Sequence, residues 1–219
     1  MKNNIKAVLF DMDGVLIDSE PLWKVAEHKV FEKVGISVSE KEMENTVGLR
    51  IDDVVSYWKE QFPNCTETTP SIVTAIMDEM VRLIKTEGRA LLGVEKALNY
   101  FENKGVKIGL ATSSYTVLLD SVLTSLQISD YFDFTQSAEH LEYGKPHPEV
   151  YLKTAMALGE KPENCLVIED SYNGMIAGLS AKMRVAVIPE KSHSINPKLK
   201  LANFYFENLI ELVNFFDKN

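Results

Sequence analysis

Along this chain short apolar runs alternate with segments whose apolar residues recur every three or four positions. Residues 5–10, Ile-Lys-Ala-Val-Leu-Phe, read as a buried strand, and further strands are predicted at 107–111, 131–134, 165–169 and 184–188. Between them the spacings Val94, Leu98, Phe101, then Leu119, Val122, Leu126, then Tyr151, Ala155, Leu158 predict helices. Gly105 and Gly159 fall where such helices need a left-handed residue to end. Strand followed by helix, repeated in this way, predicts an α/β protein with a parallel, doubly wound sheet.

The stretch from residue 18 to residue 88 breaks the rhythm, with no convincing strand and at least three helical segments. Ser19 is placed to cap the first, with Pro21 in its first turn and Leu22, Ala26, Val30 and Val34 on one face. Ser39 with Glu42 fits a capping box for the second. Val73, Met77, Met80, Val81 and Ile84 mark a later amphipathic helix. The expected organisation is an α/β core, residues 1–17 and 89–219, interrupted after its first strand by a helical domain, residues 18–88.

Charge and composition narrow the partners. The 219 residues carry 32 acidic and 23 basic side chains, a net charge of −9, which argues against a nucleic-acid-binding surface. No apolar run approaches the roughly 20 residues of a membrane helix. The run Ala7-Val8-Leu9-Phe10 is too short for a signal-peptide core, so a cytoplasmic, membrane-free protein is expected. Cys65 and Cys165 have neither CxxC nor zinc spacing and read as incidental thiols. His28, His140, His147 and His193 likewise lack metal-ligand spacing. Phe204, Tyr205, Phe206, Phe215 and Phe216 are expected to pack the last helix on the sheet.

The chemistry-bearing residues follow the predicted strands. The first strand runs into Asp11-Met12-Asp13-Gly14, and carboxylates directly after a buried strand are costly unless a cation or hydrogen bonds compensate them. The strand at 107–111 runs into Thr112-Ser113-Ser114, hydroxyl residues suited to holding an oxyanion at a helix start. The strand at 165–169 leads into Glu169-Asp170-Ser171, and Lys145 precedes Pro146-His147-Pro148 ahead of a helix at 150–158. Each taken singly has a plainer reading as a turn, a helix cap or a solvated lysine. In a doubly wound sheet, however, strand carboxyl ends share one edge, and ligands bind where the strand order reverses. If strands two and three lie on one side of strand one and strand four on the other, these segments converge on one crevice. Oxygen donors with few nitrogens or sulfurs favour Mg2+ over zinc.

The string Asp11-Met12-Asp13-Gly14-Val15-Leu16-Ile17-Asp18-Ser19-Glu20-Pro21, followed by Thr112, Lys145-Pro146-His147-Pro148 and Glu169-Asp170-Ser171, resembles the four motifs of the haloacid dehalogenase superfamily. The match is to the β-phosphoglucomutase-like branch, which carries a helical C1 cap after the first motif, and it covers essentially the whole chain. The strings Asp18-Ser19-Glu20-Pro21-Leu22-Trp23 and Gly48-Leu49-Arg50-Ile51-Asp52 are most similar to those of bacterial hexitol and 2-deoxyglucose-6-phosphate phosphatases. The resemblance implies a Rossmann-like core with a helical cap, and a Mg2+-dependent phosphatase of small sugar or polyol phosphates. A monomer is expected.

It further implies that Asp11 is the nucleophile, forming an aspartyl-phosphate, and that Asp13 is general acid and then general base. An ionised carboxylate suits the first role because it needs no base to activate it. Asp11, Asp13 through its backbone carbonyl, and Asp170 would hold Mg2+, with Glu169 a further ligand, direct or through water. Met12, Thr112, Ser113 and Lys145 would join Asp11 and Asp13 in binding substrate. The cap would close over the core with Leu22, Trp23 and Arg50 on its inward surface, Trp23 being able to stack on a sugar face. Related β-phosphoglucomutases carry a histidine at the position matching Trp23, so hydrolysis ranks ahead of a sugar phosphomutase. A phosphoacceptor signalling domain also gathers acids, a hydroxyl and a lysine around Mg2+, but the length, the helical insert and a nucleophile on the first strand stand against it. A dehalogenase would not require the Asp13 carboxyl or a metal, and a non-catalytic binding protein would not need every motif position filled.

Overall fold

The computed structural model describes residues 5–46, 49–189 and 196–218; Gly48 of the string above and His193 lie outside the described residues, as does the N-terminal stretch before Ile5. Six strands, β1 (Ala7–Phe10), β2 (Lys107–Thr112), β3 (Phe134–Ser137), β4 (Cys165–Glu169), β5 (Arg184–Val187) and β6 (Phe204–Tyr205), form one sheet. Every pairing is parallel and the order is β3-β2-β1-β4-β5-β6. The chain therefore builds one flank of β1, then returns to build the other from β4 onward, and the strand order reverses beside β1.

All four residues of β1 are buried, yet they still alternate between faces. Val8 and Phe10 join one apolar cluster while Ala7 and Leu9 join the other. A central parallel strand covered on both sides reads as a continuous apolar run, which is why Ala-Val-Leu-Phe carries no polar alternation. On the Phe10 face lie α5 (Val94–Asn103), α6 (Thr116–Leu126) and α9 (Leu209–Lys218); on the other lie α7 (Glu149–Ala157) and α8 (Tyr172–Ser180). Phe10 meets Phe101 and Phe132 edge-on, with ring centroids 6.1 and 6.5 Å apart.

Between β1 and α5 come α1 (Glu20–Lys33), α2 (Glu40–Met43), α3 (Ile51–Gln61) and α4 (Thr69–Glu87), with no strand among the described residues of 18–88. Helix α4 packs against α1 and α3 and also leans on α6 of the sheet layer. The two chain crossings into this helical segment run side by side. Ile17 bridges Ala90, the Asp18 amide donates to the Arg89 carbonyl at 3.0 Å, and the Leu91 amide donates to Leu16 at 3.1 Å. Among the described residues no helix is long and apolar enough to cross a membrane.

Several local expectations shift. The third strand lies at Phe134–Ser137, not at 131–134. Tyr131 ends a 3-10 turn, Ser129–Tyr131, and the Asp133 amide and carboxylate bind the backbone of Ile108, so pairing with β2 begins only afterwards. Strand β1 starts at Ala7 instead of Ile5, β5 stops at Val187, and the two-residue edge strand β6 goes beyond what periodicity predicts. Helix α3 is a further element, with Ile51, Val54, Val55 and Trp58 buried on one face. The capping box forms as expected, the Ser39 amide donating to Glu42 Oε2 at 2.9 Å. Ser19 does stand at the N-cap position of α1, but its side chain makes no capping bond, and Val34 lies beyond the helix end. Gly105 and Gly159 both take positive φ, 66° and 71°. Phe204 and Phe206 do pack on Phe215 and Phe216 of α9, whereas Tyr205 points away and is exposed.

Candidate active site

The ends of three adjacent strands deliver the polar groups. Asp11 follows β1, Thr112 closes β2, Glu169 closes β4 with Asp170 next to it, and Lys145 arrives on the loop before α7. Asp11, Glu169 and Asp170 each bring a carboxylate oxygen within 4.8 Å of the others. The buried Lys145 Nζ lies 2.7 Å from Asp11 Oδ1 and 2.7 Å from Glu169 Oε1, and donates to the Ala111 carbonyl at 3.1 Å. Two glycines leave room for this cluster. A Cβ on Gly174 would lie between 1.8 and 2.1 Å from the Glu169 carboxylate, and one on Gly14 would lie 2.2 Å from Asp170 Oδ2.

One ammonium cannot neutralise three carboxylates, two buried and that of Asp170 half-buried; two negative charges remain if all ionise. Burial, then the charges of Glu169 and Asp13, push the Asp11 carboxyl up to about 7 despite the opposing pull of Lys145. Burial, followed by Glu169 and Asp11, raises Asp170 well above the carboxylate range. Burial opposes ionisation of Glu169 as well, but Lys145 and donated hydrogen bonds hold its carboxyl low. Lys145 in turn stays charged because Asp11 and Glu169 outweigh its desolvation. The surplus equals the charge of one divalent cation, and the donors are oxygens, so the residues present fit Mg2+. Glu169 is already engaged: Oε1 accepts from Lys145 and Tyr151, and Oε2 from the Asp170 amide at 3.1 Å, the Ser171 amide at 3.2 Å and the Ser171 hydroxyl at 3.1 Å.

Asp13 is gripped from both sides. The Ser19 hydroxyl and the Trp23 indole N–H donate to Oδ1 at 2.5 and 3.1 Å, and the Ser114 hydroxyl donates to Oδ2 at 2.6 Å. Thr112 Oγ1 accepts from the Ser114 amide at 3.0 Å, which leaves its own O–H to donate elsewhere. The Ser113 hydroxyl is buried with no hydrogen-bond partner among the described residues, an orphaned polar atom of a kind folded proteins rarely leave, on a residue that lines the cavity. A cavity of about 100 Å³ joins these groups to the helical segment. Asp11, Asp13, Thr112, Ser113, Lys145 and Asp170 form its floor, and Glu20, Trp23, Lys24 and Glu27 of α1 line the facing wall.

Three expected binding residues stand elsewhere. Met12 is wholly buried in the apolar core, its carbonyl accepting from Leu16 at 2.8 Å and Ile17 at 3.2 Å, so only its backbone is near the site. Leu22 packs into the same core and does not line the cavity. Arg50 does not line it either, because Asp52 captures its guanidinium at 2.6 and 2.8 Å. Its Nη1 reaches the Leu141 carbonyl at 3.1 Å and so ties the helical segment to the loop carrying Lys145. Conversely, Ser19, Tyr151 and Glu27 belong to the site without having been singled out for it, and Ser114, expected in an oxyanion-holding loop, spends its hydroxyl on Asp13. Tyr151 occupies an apolar helical stripe, and only its hydroxyl tip hints at a buried partner. The hydroxyl of Ser19 looks like a cap until Asp13 competes for it.

The chain matches the haloacid dehalogenase-like hydrolase family over residues 8–188. It is 41% identical over 209 residues to hexitol phosphatase B of Escherichia coli (strain K12), covering 95% of this chain and 94% of that protein. It is 31% identical over 177 residues to the phosphorylated carbohydrates phosphatase of Thermotoga maritima, covering 81% of this chain and 82% of that one. Among solved structures it is similar to β-phosphoglucomutase of Clostridium difficile, with a TM-score of 0.82 and 29% identity, over 98% of this chain and 100% of the other.

The crowding at Gly174 is testable. Gly174→Ala forces Glu169 off Lys145, and we expect a loss of about 1–3 kcal/mol in stability by urea denaturation. Turnover should fall at least about tenfold, since the shift propagates to Asp11. Unchanged turnover would show that the position of Glu169 does not matter to the site.

Proposed function

The chain belongs to the haloacid dehalogenase-like hydrolases, and we propose that it is a Mg2+-dependent phosphatase of small sugar or polyol monophosphates acting through an aspartyl-phosphate. The observation that carries this reading is the meeting of Asp11, Lys145 and the partnerless Ser113 hydroxyl at one strand edge. A carboxylate nucleophile, a fixed cation and an unsatisfied donor are what phosphoryl transfer needs. The names of the hexitol phosphatase and the carbohydrate phosphatase support the substrate class.

Asp11, Asp170 and the backbone carbonyl of Asp13 would hold Mg2+, with Glu169 supporting from behind through Lys145 and the 170–171 backbone. When bound, the ion supplies the positive charge that lets an anionic phosphoryl group approach a carboxylate. Lys145 adds a point charge, and the Thr112 and Ser113 hydroxyls donate to phosphoryl oxygens. The Asp11 carboxylate attacks phosphorus, the bond from phosphorus to the leaving oxygen breaks, and the Asp13 carboxyl gives its proton to that oxygen. Asp13 then takes a proton from the water that attacks phosphorus, the Asp11–phosphorus bond breaks, and phosphate leaves with both carboxyls restored. Ser19, Trp23 and Ser114 fix the direction in which Asp13 can work. Residues 18–88 serve as the cap, and α1 faces the leaving group.

The similarity to β-phosphoglucomutase makes a sugar phosphomutase the second reading. Trp23 counts against it, because its indole is spent on Asp13 where the mutases that this sequence resembles carry a histidine.

Three measurements test the proposal. Phosphate release from a hexitol phosphate should stop on chelation and return with Mg2+; chelator-resistant turnover would overturn the metal requirement. Asp11→Asn should lower turnover by at least about 10³-fold and abolish acid-stable labelling by radioactive substrate, since no other group replaces a lost nucleophile. With β-glucose 1-phosphate the product should be inorganic phosphate; accumulation of glucose 6-phosphate would favour the mutase.

A further inference from the structure

We propose that Tyr151 is a positioning residue for phosphoryl transfer: its hydroxyl closes the second lone pair of Glu169 Oε1, and this keeps one N–H of Lys145 on the nucleophile Asp11. This rests on the phosphatase reading above and deepens it by adding a residue that acts through Glu169 and Lys145 without touching substrate.

Tyr151 stands in the first turn of α7, just after the loop that carries Lys145, and is wholly buried. Its hydroxyl donates to Glu169 Oε1, and its ring centroid lies 4.9 Å from Lys145 Nζ. Tyr151, Ala155 and Leu158 pack together on the sheet, where the ring of a phenylalanine would fill the same space. Packing therefore explains the ring and leaves the hydroxyl unexplained. Burial, followed by the charges of Glu169 and Asp11, raises the phenol well above its ordinary value, so it stays protonated and acts toward the carboxylate as a donor.

An ammonium has three N–H donors and a carboxylate about four lone-pair sites. Lys145 meets three acceptors: Asp11 Oδ1 at 2.7 Å, Glu169 Oε1 at 2.7 Å and the Ala111 carbonyl at 3.1 Å. On Glu169 two backbone amides and the Ser171 hydroxyl occupy Oε2, so the lone pairs left for Lys145 are those of Oε1. Tyr151 takes one of them. Without its hydroxyl, Oε1 would offer Lys145 two sites and a fuller negative charge. Asp11 would then compete for the same N–H with a carboxyl that burial already pushes up to about 7. The hydroxyl thus limits the demand that Glu169 makes on the ammonium, while the ring holds the ammonium from a further side by cation–π attraction. Because Lys145 contacts Asp11, the same division fixes the direction of the nucleophile, to which transfer rates are sensitive.

Tyr151→Phe removes the hydroxyl and keeps the ring. With a hexitol phosphate and saturating Mg2+, kcat should fall about tenfold while KM stays within about twofold, because the loss lies in the aim of the nucleophile. A hydroxyl with only a structural role would instead lower the urea midpoint and leave kcat of the folded enzyme unchanged, and that result would overturn the proposal. The same substitution in a Glu169→Gln chain, whose amide makes no charged demand on Lys145, should cost at most about twofold. A full tenfold loss there too, about the same as in the single variant, would overturn the route through Glu169. Should the Glu169→Gln chain turn over too slowly to measure, kcat and KM of the single variant decide the question. A Tyr151→Phe chain that does not fold would assign the hydroxyl to stability and overturn the proposal as well. Wild-type turnover with an unchanged kcat in Tyr151→Phe removes this proposal alone. A wild type that hydrolyses no phosphomonoester removes the phosphatase reading and this one with it.

Discussion

A lysine ammonium sunk among carboxylates is the constraint around which this molecule is organised. Lys145 contacts Asp11 and Glu169 at the same distance, 2.7 Å, and pulls both toward the ionised form against the cost of burial. The desolvation cost of burying several charges is large, and a pair is tolerated only with good geometry and satisfied lone pairs. Glu169 meets that condition through Tyr151, Ser171 and two backbone amides. Asp11 and Asp170 do not, and their raised carboxyls mark where charge is still missing. The site is thus stable on its Glu169 side and deliberately underneutralised on the side that faces the cavity. This asymmetry is what a metal and a phosphoryl group would use.

The sheet supplies the rigidity that such a cluster needs. Strands β1 and β4 are buried along their whole length and paired residue for residue, so Asp11 and Glu169 are set by backbone register, with no loop intervening. Lys145 comes from a loop, but its Nζ is fixed by the Ala111 carbonyl of neighbouring β2. Helical segment and core then meet at Asp13. Ser19 and Trp23 hold it from one side and Ser114 from the other, so the Asp13 carboxyl senses the position of the helices directly. Arg50 provides a second tie, from the start of α3 to the carbonyl of Leu141. A movement of residues 18–88 would therefore alter both the leaving-group wall and the orientation of Asp13. Under the proposed mechanism, these contacts would couple closure to acid–base chemistry.

The strand edge and α1 form opposite faces of one cavity. The strand edge carries Asp11, Thr112, Lys145 and Asp170, while α1 presents Glu20, Trp23, Lys24 and Glu27. Under the proposed reading, that division would let one α/β core serve relatives named for hexitols, for phosphorylated carbohydrates and for a phosphoglucomutase.

Much of this was legible in the residues alone. Apolar runs that end in acids or hydroxyls located β1, β2 and β4, because a central parallel strand must be apolar and its polar groups can appear only at the end. The interruption at 18–88 was visible as a change of period. The four polar segments could be assigned to one crevice because a doubly wound sheet leaves them no other edge to share. Other features depended on distant partners. Strand β3 carries no alternation, since Phe-Thr-Gln-Ser sits at the flank half-buried, and its start is set by Asp133 binding Ile108. Arg50 left the cavity because Asp52 claimed it, and Ser19 left its capping role because Asp13 did. Tyr151 and Glu27 could not be separated from ordinary helix residues by pattern. Their roles arise from approaches between atoms far apart in the chain, and only tertiary packing determines those approaches.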